Sequence, residues 1–179
     1  MRAKLLITII FGVLLWGCAN SRESYIKRMI GSELIINVDS MFIGDNSRSY
    51  INDLDKQLKI VVYSDSSNCN ACDIQFPLWR IRYRELSREN DTGLIFIINT
   101  KDISDMELNA NVVKAPGLRL YDSQGVFKKN NRLFDHREFH VFLLDQDNKI
   151  ILIGNPLTNH NLYALYKRAI EMQTNNGGN

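Results

Sequence analysis

The sequence predicts an α/β fold: a central mixed sheet flanked by helices, with an N-terminal β extension. Three observations carry that expectation. Lys59 to Tyr63 (KIVVY) and Gly93 to Asn99 (GLIFIIN) are short apolar, β-branched runs of the kind that fill buried strands, with a helical pattern between them. Phe139 to Leu144 (FHVFLL) and Lys149 to Ile153 (KIILI) are two further strand-like runs, joined by the tight turn Asp145-Gln146-Asp147-Asn148 as a β-hairpin. A strand–helix–strand unit requires parallel pairing through a right-handed crossover, whereas the hairpin adds antiparallel strands to the same sheet. With 179 residues, 45% hydrophobic and 23% charged, the chain suits one domain able to bury its own core.

Taken in order, Met1 to Lys4 is short and basic, and Leu5 to Trp16 is continuously apolar. That apolar run is well short of the roughly 20 residues a membrane-spanning helix needs. A basic start, a short apolar run and small residues after it make a secretory signal over residues 1–17. The end, Leu15-Trp16-Gly17-Cys18, resembles the bacterial lipobox, in which a small residue precedes a lipidated cysteine. Leu15, Gly17 and Cys18 match, and Trp16 is bulkier than usual at its position. The resemblance implies a lipid anchor at Cys18; a plain apolar anchor or an uncleaved segment is the alternative. The cysteine count agrees with lipidation, because of three cysteines only Cys69 and Cys72 then remain, as a pair. Without Arg2 and Lys4 the 22 basic residues become 20, equal to the 20 acids. A neutral chain offers no electrostatic case for nucleic acid.

Residues 18–56 form a tether and N-terminal extension. Gly31 to Ile43 alternates weakly, as one or two short strands, and the Gly44-Asp45-Asn46-Ser47 turn bounds it. Tyr50 to Leu58 is polar, and a hairpin or an irregular lead-in is expected there. After the strand at Lys59 comes turn material (Ser64 to Asn68), and then Cys69 and Cys72 at the start of a helix of about five turns. One apolar row on it is Cys72, Phe76, Trp79, Tyr83 and Leu86; a second is Ile74, Leu78 and Ile81. Pro77 should kink this helix one turn past the cysteines. Arg80, Arg84 and Arg88 form an outer stripe, solvated and paired with Glu85 and Glu89. Asp102 to Val113 predicts a short helix ended by Ala115-Pro116-Gly117, and Leu118 to Arg132 is a middle region with a turn at Ser123-Gln124-Gly125. Asn161 to Met172 predicts a final helix with Leu162, Leu165, Ala169 and Met172 inward, followed by a polar tail over 173–179.

The spacing of Cys69 and Cys72 at a helix start is the chemical signal. Free backbone N–H groups and the helix dipole there favour thiolate over thiol, which activates the first cysteine as a nucleophile. Two other readings stay open. A C-x-x-C disulfide as a structural staple closes a loop of only four residues, worth about 2 kcal/mol of loop entropy. A copper or zinc site could join the pair to His136 or His140, although 63 residues separate Cys72 from His136.

The element order, with C-x-x-C opening the first long helix, resembles the thioredoxin-like fold. More narrowly, Cys69-Asn70-Ala71-Cys72-Asp73-Ile74-Gln75-Phe76-Pro77-Leu78 resembles the C-x-x-C-x-x-x-x-P-x-L of membrane-tethered bacterial thiol-disulfide reductases and peroxiredoxin-like lipoproteins. Phe142-Leu143-Leu144-Asp145 through Ile150 resembles the same family's late F-L-I-D-x-x-G-x-I hairpin, so the likeness spans about residues 57–172. It implies an oxidoreductase of the cell envelope, facing the periplasm and using no cofactor. Cys69 would attack and Cys72 would resolve. The partners would be disulfide-containing exported proteins and an electron donor. Two positions depart from the family. Asn68 stands where a tryptophan is usual, and Phe139, followed by His140, stands where a cis-proline faces the substrate. A cis bond before a non-proline residue costs roughly 3 kcal/mol, so Phe139 is expected to be trans, within an altered substrate-facing wall. That wall leaves open a non-catalytic binding module. Asp65 and Asp73 are nearby acids, so only a modest depression of the Cys69 pKa is expected.

Overall fold

The computed structural model describes residues 22–65, 74–88 and 90–176, with side chains through residue 173. Cys18, Cys69 and Cys72 lie outside the described residues. Six strands form one mixed sheet in the order β1-β4-β3-β2-β5-β6. β2 (Leu58–Ser64) and β3 (Thr92–Ile98) pair in parallel over their full length, Leu58 opposite Thr92 and Ser64 opposite Ile98. β4 (Leu118–Tyr121) extends the parallel part beside β3, and β1 (Phe42–Ile43) closes that edge antiparallel to β4. On the other side of β2 lie β5 (Val141–Leu144) and β6 (Ile150–Ile153), both antiparallel to their neighbours.

Both faces of the sheet are covered, which is why β2 and β3 read as unbroken apolar runs rather than alternating ones. On one face Ile60, Val62, Phe96 and Leu143 pack against helices α2 (Phe76–Ser87), α3 (Ile103–Val112) and α5 (His160–Asn176). On the other, Val61, Tyr63, Ile97 and Phe142 meet α1 (residues 22–29) and α4 (Val126–Asn130).

Local chemistry accounts for the helix starts. The Asp102 carboxylate accepts from Asp105 N at 3.0 Å and caps α3. The Asp122 carboxylate accepts from Val126 N and Phe127 N at 3.0 and 2.8 Å, and Gly125, left-handed at φ 65°, turns the chain into α4. The break ahead of α2 falls at Gln75, left-handed at φ 56° and ψ 48°, rather than at Pro77. Pro77 sits in the first turn, where its missing N–H breaks no helical bond.

Several expected elements need correction. The N-terminal extension is mostly helical. α1 occupies 22–29, Asp45–Asp55 is a 3-10 helix, and β1 contributes two residues with a single bridge from Glu33 to Lys149. Leu118 to Arg132 is not a featureless middle region, for it holds β4 and α4. The expected strand from Phe139 begins only at Val141, because Arg137–Phe139 is a 3-10 turn. α5 continues through Asn176 rather than fraying at Gln173, and its buried row is Tyr166, Ala169 and Ile170; Leu165 and Met172 are exposed. On α2, Phe76, Trp79 and Leu86 of the first apolar row are buried, as is Ile74 of the second, but Leu78 and Ile81 face solvent. Glu85 pairs with Arg82 at 3.1 Å, not with the outer arginines, and the Arg80 guanidinium donates to Val113 O.

β4 escaped the sequence pattern because it carries a buried charge. Arg119 donates to Glu107 of α3 through Nε at 2.7 Å and through its terminal nitrogen at 3.2 Å, and the Tyr121 hydroxyl donates to the same carboxylate at 2.6 Å. Ser47 Oγ accepts from Arg119 N at 3.1 Å, so the cluster also holds the 3-10 helix against the sheet edge. Removing one partner strands a charge that water no longer reaches. Glu107→Gln is expected to destabilise the protein by about 3 kcal/mol, read as a fall in the urea unfolding midpoint.

Candidate active site

The expected site lies where β2 ends and α2 begins. Ser64 closes β2 and Ile74 precedes α2. Cys69 follows Ser64 by five residues, and Cys72 precedes Ile74 by two. Ser64 and Ile74 line one small cavity with Tyr63, Trp79, Asn155 and His140. Arg137 completes its rim. The fold thus brings the flanks of the C-x-x-C segment to the start of β5, which the sequence separates from them by more than sixty residues.

His140 is the buried polar group of this cavity, only 2% exposed. His140 immediately precedes the hairpin strand β5 and is buried there, while His136 is exposed. His140 Nε2 lies 2.7 Å from Phe134 O. A carbonyl only accepts, so Nε2 carries the hydrogen and Nδ1 is the acceptor nitrogen of the ring. The Tyr63 ring stands edge-on to it, centroids 5.1 Å apart. Burial holds the His140 pKa below the ordinary imidazole value, with the Phe134 carbonyl and Asp65 opposing that shift and Lys128 and Arg137 adding to it. The imidazole is therefore neutral near pH 7.

Phe139 is half-buried rather than open. Tyr25 of α1 lies over it at 5.9 Å and stacks on Phe134 at 5.2 Å, with His136 against the other members of this aromatic group. Arg22 reaches Glu138 at 3.5 Å, so α1 is fastened along the same 3-10 turn. Phe139 is thus partly covered by the chain's own first helix. Among the described residues every peptide bond is trans, Phe139 included, and no group of three or more His, Cys, Asp or Glu side chains could hold a metal ion.

Lys128 reads in the sequence only as half of a basic Lys128-Lys129 pair, with no role at the site. Its ammonium lies 2.7 Å from Asp135 and 3.4 Å from Asp65, and the Asp135 hydrogen bond raises its pKa. Asp65, expected to disfavour a thiolate, therefore has a cation beside it. Only the tertiary fold brings α4 to the end of β2, so no local pattern around residue 65 signals this.

No protein-family model matches the chain, and no curated protein sequence matches it. Solved structures do. The thioredoxin domain of a thiol-disulfide oxidoreductase from Bacteroides vulgatus superposes with a TM-score of 0.57 at 14% identity, over 79% of this chain and 97% of that one. The chain has the thioredoxin-like fold. A structure described as a protein disulfide isomerase from Bacteroides thetaiotaomicron gives 0.54 at 16% identity, over 80% and 89% of the two chains. One described as the thiol:disulfide interchange protein DsbE from Chlorobium tepidum gives 0.53 at 14%, over 77% and 96%. The thioredoxin-like architecture is in this way established on geometry, at identities where sequence comparison is silent.

The His140 pKa carries a sign that can be checked. With Cys69 and Cys72 both replaced by serine, no sulfur charge contributes. As pH falls below about 6.5 the unfolded chain takes up the proton first, because its imidazole is unperturbed. The stability tied to neutral His140 is present above that pH and is lost as pH falls toward the lowered native pKa. Urea midpoints between pH 7.5 and 5.5 should drop in this variant, and His140→Gln should flatten that part of the slope.

Proposed function

We propose that the protein is a membrane-tethered thiol-disulfide oxidoreductase of the bacterial envelope, acting through Cys69 and Cys72 on disulfides of exported proteins. One observation carries this reading. Ser64 at the end of a buried central strand and Ile74 just ahead of helix α2 flank the C-x-x-C segment in the chain, and both line one cavity with His140, in a thioredoxin-like fold. Cys69, as thiolate, attacks a partner disulfide and forms a mixed disulfide, expelling the partner's first sulfur as a thiolate. Cys72 then attacks the Cys69 sulfur, releasing the partner's second sulfur and leaving Cys69–Cys72 oxidised. An electron donor outside this chain returns the pair to dithiol. Lys128 offsets the charge of Asp65, the acid expected to disfavour a Cys69 thiolate, and a modestly lowered thiol pKa is part of this reading.

Residues 1–17 would be removed and Cys18 lipidated, holding the domain at a membrane with its face toward the periplasm. Among the described residues no helix is long and apolar enough to cross a membrane.

The covered Phe139 wall favours a second reading, a thioredoxin-fold module that binds a partner without exchanging disulfides. Insulin reduction by the full chain separates the two. The oxidoreductase reading expects turbidity to develop with dithiothreitol as donor, and Cys69→Ser to abolish the rate above the donor background. Equal rates for wild type and Cys69→Ser would leave only the binding module. For the anchor, metabolic palmitate labelling is expected in wild type and lost in Cys18→Ser.

A further inference from the structure

We propose that α1 is a strap over the 3-10 turn Arg137–Phe139, and that its first turn lifts to let an apolar side chain of a polypeptide partner take the place of Tyr25. The strap restrains reaction with disulfides carried by polypeptides and leaves small disulfides unrestrained. This rests on the oxidoreductase reading, and it names what decides which disulfides reach the site.

The turn has two sides. Arg137 and His140 line the cavity that Ser64 and Ile74 also line, while Glu138 and Phe139, between them in the chain, meet α1. Tyr25 lies over Phe139 at 5.9 Å and stacks on Phe134 at 5.2 Å. Phe134 O is in turn the partner of His140 Nε2, 2.7 Å away. A side chain seated on Phe134 and Phe139 therefore adjoins the cavity through the same few residues, and the seat is taken by Tyr25. A polypeptide can bring an apolar side chain to compete for it. Oxidised glutathione carries none, so it has no use for the seat.

α1 is tied down at its end and held only lightly at its start. Past its last turn, Gly31 N donates to Ile150 O and Leu34 N to Asn148 O, both at 2.8 Å, so the chain there is bound to the hairpin. At the start, Arg22 reaches Glu138 at 3.5 Å with both side chains about half exposed. Among the described residues this is the one ion pair that α1 makes outside itself, since Lys27 pairs with Glu23 within the helix. An exposed pair of this kind contributes little and is screened by salt. Five of the eight residues of α1 are exposed. A helix this short has little stability of its own in water, so it resists lifting only through its contacts. Tyr25 is the main contact at the start, and it is imperfect. Its ring is buried, yet its hydroxyl meets no hydrogen-bond partner there. Lifting returns that hydroxyl to water and recovers the bond that burial forfeits.

The test uses the full chain. Amides of residues 26–30 would lose their helical acceptors when the first turn lifts. Their hydrogen exchange, corrected for intrinsic rates, is expected to be about a hundredfold faster than that of β2 and β3. Equal protection in α1 and those strands, which means release only on global unfolding, would overturn the proposal. The pre-reduced chain is then oxidised by insulin and, separately, by oxidised glutathione, with both rates read by acid quench and thiol alkylation. Arg22→Glu, which sets two carboxylates against each other, is expected to raise the insulin rate about threefold and leave the glutathione rate unchanged. Arg22→Glu/Glu138→Arg restores the pair and should restore the wild-type insulin rate. Tyr25→Ala should raise the insulin rate further; should it fail to fold, Arg22→Glu decides. An insulin rate unchanged or lowered in Arg22→Glu overturns the strap, and so does an equal rise in both rates. A merely structural α1 would give the lowered rate. If neither disulfide oxidises the wild type, the oxidoreductase reading falls and hydrogen exchange alone decides whether α1 lifts.

Discussion

The structure depends on the placement of β2 with ordered strands on both sides and apolar layers above and below. All seven of its residues are buried, Lys59 included. A strand so enclosed has no slack. Its register is fixed against β3 by seven parallel pairs and against β5 by four antiparallel ones. The side-chain period of a strand is two, so a slip by one residue would exchange Ile60 and Val62 for Val61 and Tyr63 and turn the two cores inside out. Fixing β2 fixes where its carboxyl end delivers the chain. It also fixes what stands opposite, because Val62 pairs with Val141 and Tyr63 N donates to His140 O at 2.8 Å. The histidine is therefore positioned by the same ladder that positions the approach to the cysteines.

Lys59 illustrates how firmly that constraint holds. Its ammonium donates to Gln146 O at 2.8 Å, in the hairpin turn, with Asp55, Asp145 and Asp147 nearby. A lysine within a central strand is costly unless its charge finds partners, and here they come from the turn between β5 and β6 and from the 3-10 helix. The Arg119–Glu107 pair plays the matching part near the opposite edge, joining β4 to α3. The N-terminal extension is fastened at both ends of the sheet, through Ser47 and β1 at one side and through Tyr25 and Glu33 at the other.

The parts of this molecule legible in the sequence were those whose pattern is local. β2, β3 and the hairpin appear as apolar runs because both sides of each strand are buried, and α3 as a periodic segment closed by Ala-Pro-Gly. What stayed hidden is what tertiary contact alone creates. β4 reads Leu-Arg-Leu-Tyr, and its arginine looks like surface until Glu107 arrives from a helix a dozen residues earlier. Leu165, Met172, Leu78 and Ile81 looked inward because periodicity counts apolar side chains without knowing where the neighbouring helix ends. Tyr166 and Tyr163 took the inner positions instead, the one fully buried and the other bonded to Glu85 at 2.7 Å. The C-x-x-C motif was plain from the sequence, and His140 was named with Phe139 by alignment, but its burial was not legible, because nothing near it in the chain says that Trp79 and Ile74 line the same cavity.

The departure at Phe139 then acquires a physical reason. A proline there would fix φ and remove an N–H, and in this chain that N–H donates to His136 O at 3.0 Å within the 3-10 turn. The turn in its place puts Phe139 under Tyr25 and aims the next residue, His140, into the cavity. The turn thus stands in place of a rigid backbone edge and sets a titratable ring at the next position. Tyr25 of α1 stacks on Phe134, and the Phe134 carbonyl is the partner of His140 Nε2, so the first helix is joined through a single residue to the group that fixes the histidine's tautomer.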